Sequence, residues 1–169
     1  RFSKEKGVFQ LISAFEIFIK KNKKFSLNLI GSGSQKKNLI NYIKYNNLKK
    51  NVFIHNWSND LSKYYLNSKV LVLPSYFEGF GNVLIEALSY SLPCISVRND
   101  GPKEILKNGK YGLLIKDNSP QSIVNGLNKL FKSYKTFSYK AQLGYKKNVI
   151  YDLKRVGNLY LKKINSVLN

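Results

Sequence analysis

Between Lys69 and Arg98 the chain has no basic residue, although it carries 29 Lys and Arg in 169 residues. An even scatter would put about five cations in that window, and its only charges are Glu78 and Glu86. Val70-Leu71-Val72-Leu73 is a short continuous apolar run, as expected of a strand covered on both faces. Pro74 to Gly81 breaks the run. Val83, Leu84, Ala87 and Leu88 then recur at helical spacing, with Asn82 placed to cap the helix start. The order is strand, glycine-broken loop, helix. It sets both acids at the carboxyl edge of a parallel sheet, where open α/β sheets bind ligands.

Two readings of these acids compete. In the first, Glu86 answers the positive end of a helix dipole and Glu78 is a solvated loop residue. In the second, the stretch is a sugar-nucleotide site. The free N–H groups of Gly81, Asn82 and Val83 would face a diphosphate, the glycines would let the backbone come close, and Glu78 and Glu86 would accept hydrogen bonds from ligand hydroxyls. An acid cannot hold a diphosphate, so the second reading requires cations from elsewhere in the chain.

A chain of 169 residues can bury one good core or form one lobe of a two-lobed enzyme. Its apolar content of 43% is globular. No apolar run approaches the roughly 20 residues of a membrane span, and no signal-peptide pattern is present. The single cysteine, Cys94, lies in apolar Pro93-Cys94-Ile95-Ser96-Val97 and reads as a buried strand residue, which fits a reducing compartment. With one cysteine and one histidine, His55, no zinc site is expected and no metal is called for. The lack of methionine suggests an excerpt from a longer chain. The net charge of +20 favours anionic partners, but the lysines are spread rather than gathered into an arm, so no nucleic-acid partner is expected.

Along the chain, Val8, Leu11, Ile12, Phe15 and Phe18 mark an amphipathic helix to about Lys21. Phe25 to Ile30 alternates into a strand that stops at Gly31-Ser32-Gly33-Ser34, a tight βα turn. The next helix has Leu39, Ile40 and Ile43 on its buried face. Val52-Phe53-Ile54 is a short strand, and Asp60 caps the helix carrying Leu61, Tyr64 and Tyr65. Beyond the central stretch come a strand at 93–97, a short helix after Asn99-Asp100-Gly101, a strand at 113–115, and helices at about 119–132, 137–148 and 153–167. Strands alternating with helices imply an α/β domain, a Rossmann-like parallel sheet flanked by helices on both faces. One domain is expected.

Taken together, these residues resemble the C-terminal, donor-binding half of retaining glycosyltransferases of family 4, which have the two-lobed GT-B fold. The resemblance runs from Arg1 to about Phe131. It rests on Arg1-x-x-x-x-Lys6-Gly7, Gly31-x-Gly33, Pro74-Ser75, Glu78-Gly79-Phe80-Gly81 followed by Glu86, Pro93, Gly101-x-x-Glu104, Asn108-Gly109 and Gly112-Leu113-Leu114. It implies that Arg1 and Lys6 are the diphosphate-binding pair, that Glu86 holds the ribose hydroxyls, and that Glu78 contacts the transferred sugar. Gly79, Phe80, Gly81, Asn82 and Val83 would cradle diphosphate and sugar. It also implies retention of anomeric configuration, with the donor's own phosphate assisting the incoming hydroxyl.

The expected protein is thus the nucleotide-sugar binding domain, residues 1–169, of a glycosyltransferase whose N-terminal acceptor domain lies outside this chain. It needs no cofactor besides its donor, expected to be a UDP-sugar. The acceptor would be a glycan or a lipid-linked sugar of bacterial surface polysaccharide or oligosaccharide synthesis. The setting would be cytoplasmic, with the basic surface suited to peripheral contact with an anionic inner leaflet, and the lobe alone would be inactive. Some positions depart from the family pattern. Asn56 stands where glycine is usual, and Asp100-Gly101-Pro102 replaces paired glycines. Trp57 reads as a packed loop aromatic or a base-stacking one, His55 as a packed strand residue, and Glu104 as fixing a helix start. A sugar-nucleotide epimerase or a phosphorylase could share the fold, and a nucleic-acid-binding module is the non-enzymatic alternative.

Overall fold

The structure, a computed structural model, describes residues 1–147; the helix expected over 153–167 lies outside them. A single turn of 3-10 helix at Lys4–Lys6 leads into α1 (Val8–Ile19), followed by β1 (Leu27–Ile30), α2 (Lys36–Tyr45), β2 (Val52–His55) and α3 (Ser62–Asn67). The second half runs β3 (Leu71–Leu73), α4 (Asn82–Ser89), β4 (Cys94–Val97), α5 (Asp100–Ile105), β5 (Leu113–Ile115), α6 (Pro120–Lys132) and α7 (Tyr134–Lys147). All strand pairs are parallel, as crossover helices require.

The strands form two sheets rather than one. β1 pairs with β2, Leu27 opposite Val52, and β3–β4–β5 make the second sheet, Leu71 opposite Cys94 and Ile95 opposite Leu113. β1 and β3 are not hydrogen-bonded to each other, and a cavity of about 700 Å³ runs between them. This explains why Leu71 and Val72 are only half-buried, although their sequence reads as a strand covered on both faces.

Alternation along β4 divides the core. Ile95 and Val97 point to one face, where Leu11, Ile12, Phe15 and Phe18 of α1 meet Ile123, Leu127 and Leu130 of α6. Cys94 points to the other, packed with Leu84, Ala87 and Leu88 of α4, Ile105 of α5 and Ala141 of α7. Each fully buried Leu or Ile contributes about 1.5–3 kcal/mol. Gly126 of α6 lets that helix settle directly on the sheet, for a Cβ there would come within 2.9 Å of Ile115. The Cys94 thiol is wholly buried and its pKa is pushed up by burial, which makes it an inert packing residue, as expected.

Two local expectations need correction. Ile40 is 47% exposed, while Leu39 and Ile43, four residues apart and on one stripe of α2, are buried. Asn82 does not cap α4: Gly81 is the N-cap, with φ 98°, and Asn82 is the first helical residue, its side chain exposed. The chain enters this helix through the left-handed region, which glycine adopts without steric cost. The Asp60 cap is met only in part: Leu61 is the N-cap of α3, and Asp60, one residue earlier, accepts the Ser62 N–H on its Oδ1 at 2.8 Å.

Candidate functional site

The loop from Pro74 to Gly81 leaves the carboxyl end of β3 and is fixed from several sides. The Pro74 carbonyl accepts from Asn118 Nδ2 at 3.1 Å, and the Ser75 carbonyl from Asn99 Nδ2 at 3.1 Å. Tyr76 N–H donates to the Glu5 carbonyl at 2.8 Å, which ties the loop to the turn before α1. Gly7, with φ 63°, caps that helix so close to Pro74 O that a Cβ could not be accommodated. Gly101 at the start of α5 is buried under the loop, and a Cβ there would come within 2.6 Å of Gly79 O and closer still to Phe80. Gly101 is thus required by close backbone approach.

This anchoring brings Lys6 onto Glu78. Lys6 Nζ donates to Glu78 Oε2 at 2.8 Å, and buried Ser75 donates its Oγ–H to the same oxygen at 3.1 Å. The Glu78 side chain is 14% exposed, so it is not a solvated loop acid. Of the two ion pairs among the described residues, the other, Lys103 with Asp100, lies within α5. With Oε2 occupied twice, Oε1 of Glu78 is the oxygen available to a ligand hydroxyl.

Next to this pair stands the N-terminus of α4. The first amides of a helix lack intrahelical acceptors; here Leu84 N–H turns back to Gly81 O at 2.8 Å, and the amides of Asn82 and Val83 belong to the open first turn. Phe80 is 39% exposed beside them. Gly79 is exposed, with nothing within 4 Å of where its Cβ would stand.

Glu86 is the fifth residue of α4, past the first turn where the dipole acts most strongly. Its Oε2 accepts from the Tyr65 hydroxyl at 2.7 Å. Tyr65, on α3, is buried and stacked on Tyr90 with ring centroids 5.4 Å apart. Burial first, then the bond to the Glu86 carboxylate, raises the Tyr65 pKa, so the hydroxyl stays a donor. A rigid tyrosine thereby fixes one oxygen of Glu86 and leaves the other outward. Tyr65→Phe should weaken binding of a ligand held by Glu86 about 10–100-fold, the worth of one hydrogen bond to a charged group, as isothermal titration with UDP would read. An unchanged affinity would show that Tyr65 serves packing alone.

The arrangement gathers most of the residues singled out in the sequence. Arg1, Lys6, Glu78, Phe80, Gly81 and Asn82, with Val83, line the mouth of the cavity between β1 and β3, while Gly79 and Glu86 lie outside that lining. Ser75, Tyr65, Asn99 and Asn118 are additions. Only the Pro74-Ser75 pair carried a signal; nothing in the sequence joins Tyr65 to Glu86. Trp57 is 64% exposed at the end of β2 and so is not a packed loop aromatic. His55 is half-buried, hydrogen-bonded to Asn28 Oδ1 at 2.8 Å and packed on Tyr64, as expected. Glu104 stands exposed in the last turn of α5 and does not fix its start. Among the described residues no three of His, Cys, Asp and Glu come together in a group able to hold a metal ion.

Comparison with known proteins gives the family and the fold. Residues 1–151 match the family described as glycosyl transferases group 1. The chain is 34% identical over 133 residues to the capsular polysaccharide biosynthesis glycosyltransferase CapM of Staphylococcus aureus, covering 77% of this chain and 34% of that one. It is 38% identical over 104 residues to the UDP-Gal:alpha-D-GlcNAc-diphosphoundecaprenol alpha-1,3-galactosyltransferase of Escherichia coli, covering 59% of this chain and 26% of that one. The pneumococcal O-GlcNAc transferase GtfA, solved with UDP and GlcNAc, superposes with a TM-score of 0.86 at 22% identity, over all of this chain and 35% of that one. The chain therefore spans well under half the length of these relatives, and its fold is that of one lobe of a GT-B glycosyltransferase. A family match over nearly the whole chain, on a fold that carries its acids and cations to one sheet edge, makes this chain a member of the group 1 glycosyl transferases.

Proposed function

We propose that the chain is the donor lobe of a retaining glycosyltransferase that takes a sugar from a UDP-sugar and passes it to a glycan or lipid-linked acceptor bound by an N-terminal lobe. The observation that carries this reading is the Lys6–Glu78 pair, 2.8 Å apart and beside the open first turn of α4. A cation next to unsatisfied helix amides suits a diphosphate, and a carboxylate with one oxygen uncommitted suits a sugar hydroxyl. Glu86, oriented by Tyr65, suits the two ribose hydroxyls.

In this reading Lys6 leaves Glu78 for the diphosphate when the donor enters, and Arg1 joins it from the cavity mouth. As the bond from sugar to phosphate breaks, the developing negative charge falls on the oxygens facing Lys6, Arg1 and the amides of Asn82 and Val83. The freed Glu78 holds the sugar in register, and the donor's phosphate assists the acceptor hydroxyl on the same face. The UDP donor and the surface-glycan acceptor are supported by the names of the galactosyltransferase and CapM. A cytoplasmic setting at the anionic inner leaflet belongs to the same proposal, supported by the net charge of +20.

A thermal-shift screen with UDP-, GDP- and ADP-sugars tests it. UDP-sugars should raise the melting temperature in proportion to the logarithm of their concentration, by about 2.7 kcal/mol of added stability at a hundred times Kd. Equal response to all three bases, or to none, would overturn the proposal.

A further inference from the structure

The lysines are scattered along the sequence, but the fold gathers many of them onto one edge. Parallel strands all begin at the same edge, opposite the donor loop. Lys20, Lys21, Lys23 and Lys24 stand in the turn before β1, and Lys49 and Lys50 before β2, all exposed. Lys69 precedes β3, Lys107 and Lys110 precede β5, and Lys129 and Lys132 lie in the last turn of α6, again exposed.

Aromatic packing shows that the two sheets share this edge. Phe25, entering β1, meets Phe131 near the end of α6 with ring centroids 4.5 Å apart, and Phe18 of α1 stacks on the same ring at 5.7 Å. The Tyr134 hydroxyl donates to Lys69 O at 3.1 Å, at the entry to β3. From there α7 lies across the edge. Phe137 joins the core between α1 and α6, Ala141 joins the core under α4, and Lys140 Nζ donates to Gly109 O at 2.9 Å, ahead of β5. Phe137, Ala141 and Gly144 are the buried stripe of this helix, and Lys135, Tyr139, Gln142 and Lys146 form the exposed stripe opposite.

The acids lie elsewhere. Asp60, Glu78, Asp100 and Asp117 follow β2, β3, β4 and β5, at the carboxyl edge. Glu16, the acid of α1, accepts from the Tyr42 hydroxyl of α2 at 3.4 Å. Among the described residues no acid stands in the segments that enter the strands, nor in α7. Exposed tyrosines are interleaved with the lysines instead: Tyr45 at the end of α2, and Tyr139 and Tyr145 on α7. A tyrosine, with its apolar ring and polar tip, and a lysine, with its apolar stem and charged head, both suit the headgroup level of a bilayer. The charges come from several separate turns and a helix, so a partner must be broad and uniformly negative, as an acidic leaflet is.

We propose that the amino edge of the two sheets, with α7 across it, is the face on which the protein lies against an anionic lipid bilayer. This deepens the inner-leaflet setting proposed above and rests on it. The donor loop stands at the opposite edge, so docking turns Glu78 and the first turn of α4 away from the lipid and leaves them open to donor.

Co-sedimentation of the complete protein with mixed phosphatidylglycerol and phosphatidylcholine vesicles tests it, with pure phosphatidylcholine as the neutral reference. Near an acidic surface each lysine strengthens binding about fivefold, so Lys23→Gln, Lys132→Gln and Lys135→Gln together should weaken it about 100-fold. The same charge removed from the carboxyl edge, by Lys37→Gln, Lys63→Gln and Lys116→Gln, should leave binding within about threefold of the parent. Four residues of strand at about 3.3 Å each separate the edges, more than the Debye length of about 10 Å at 0.1 M salt. An unchanged melting temperature, with its shift by UDP-sugar, shows that each variant is folded and reports on donor recognition separately. Equal losses in the two triple variants would overturn the proposal but leave the inner-leaflet setting standing, since net charge alone would then hold the protein. Binding no stronger than to neutral vesicles would overturn both. If the parent binds single-stranded RNA more tightly than the vesicles and the amino-edge variant loses it, the face serves nucleic acid and the proposal falls.

Discussion

Lys6→Ala in the complete enzyme should lower sugar transfer by about 10²–10³-fold, a loss of about 3–4 kcal/mol of transition-state stabilisation. Among the described residues Lys6 is the cation that pairs with the loop acid, 2.8 Å from Glu78. If its role is to take up charge as the donor's phosphate departs, kcat falls with kcat/KM and the donor's KM changes little. Lys6→Arg should recover only part of the rate, since a planar fork cannot occupy the position of a compact ammonium held by Glu78. Steady-state kinetics with varied donor decides the matter. A loss below threefold would remove Lys6 from the chemistry and leave the pair as a structural tie.

Gly101→Ala should be nearly as damaging without touching a charge. The added methyl would come within 2.6 Å of Gly79 O and closer to Phe80, where both neighbours are backbone and cannot rotate aside. The loop must lift, and overpacking of this kind costs about 1–3 kcal/mol, a fall of about 3–10 °C in melting temperature for a chain of this size. The lifted segment is the one that joins Glu78 to the first turn of α4, so stabilisation by UDP-sugars should disappear in the same variant. Gly79→Ala is the contrast for stability, for no atom lies within 4 Å of its Cβ position. If Gly101→Ala melts like the parent, the loop is not held from below.

The sequence told most where periodicity and charge were local. The basic-free window gave the strand, the loop and the helix around Glu78 and Glu86, and every strand of the described residues was foreseen within a few positions. Signals that depend on distant partners were silent. Tyr65 was legible as a helix residue, yet its hydroxyl meets Glu86 only because α3 and α4 pack on the same face of the sheet. Asn99 and Asn118 hold the loop from two later crossovers, and nothing in their neighbours marks them. The Asn82 cap failed for a different reason: a good capping side chain followed a glycine able to take φ 98°, and backbone freedom decided the start of the helix. The division into two sheets was unreadable because the apolar run at 70–73 looks the same whether its outer edge is paired or open.

The lone thiol at the middle of the second sheet gives the protein a built-in stopwatch. Cys94 is wholly enclosed beneath α4 and has no other cysteine to confuse it. An alkylating reagent therefore reaches sulfur only when that layer parts, and the rate of modification in dilute urea reads how often it does so. The measurement needs neither label nor mutation, and it can be repeated on every variant made in the loop above.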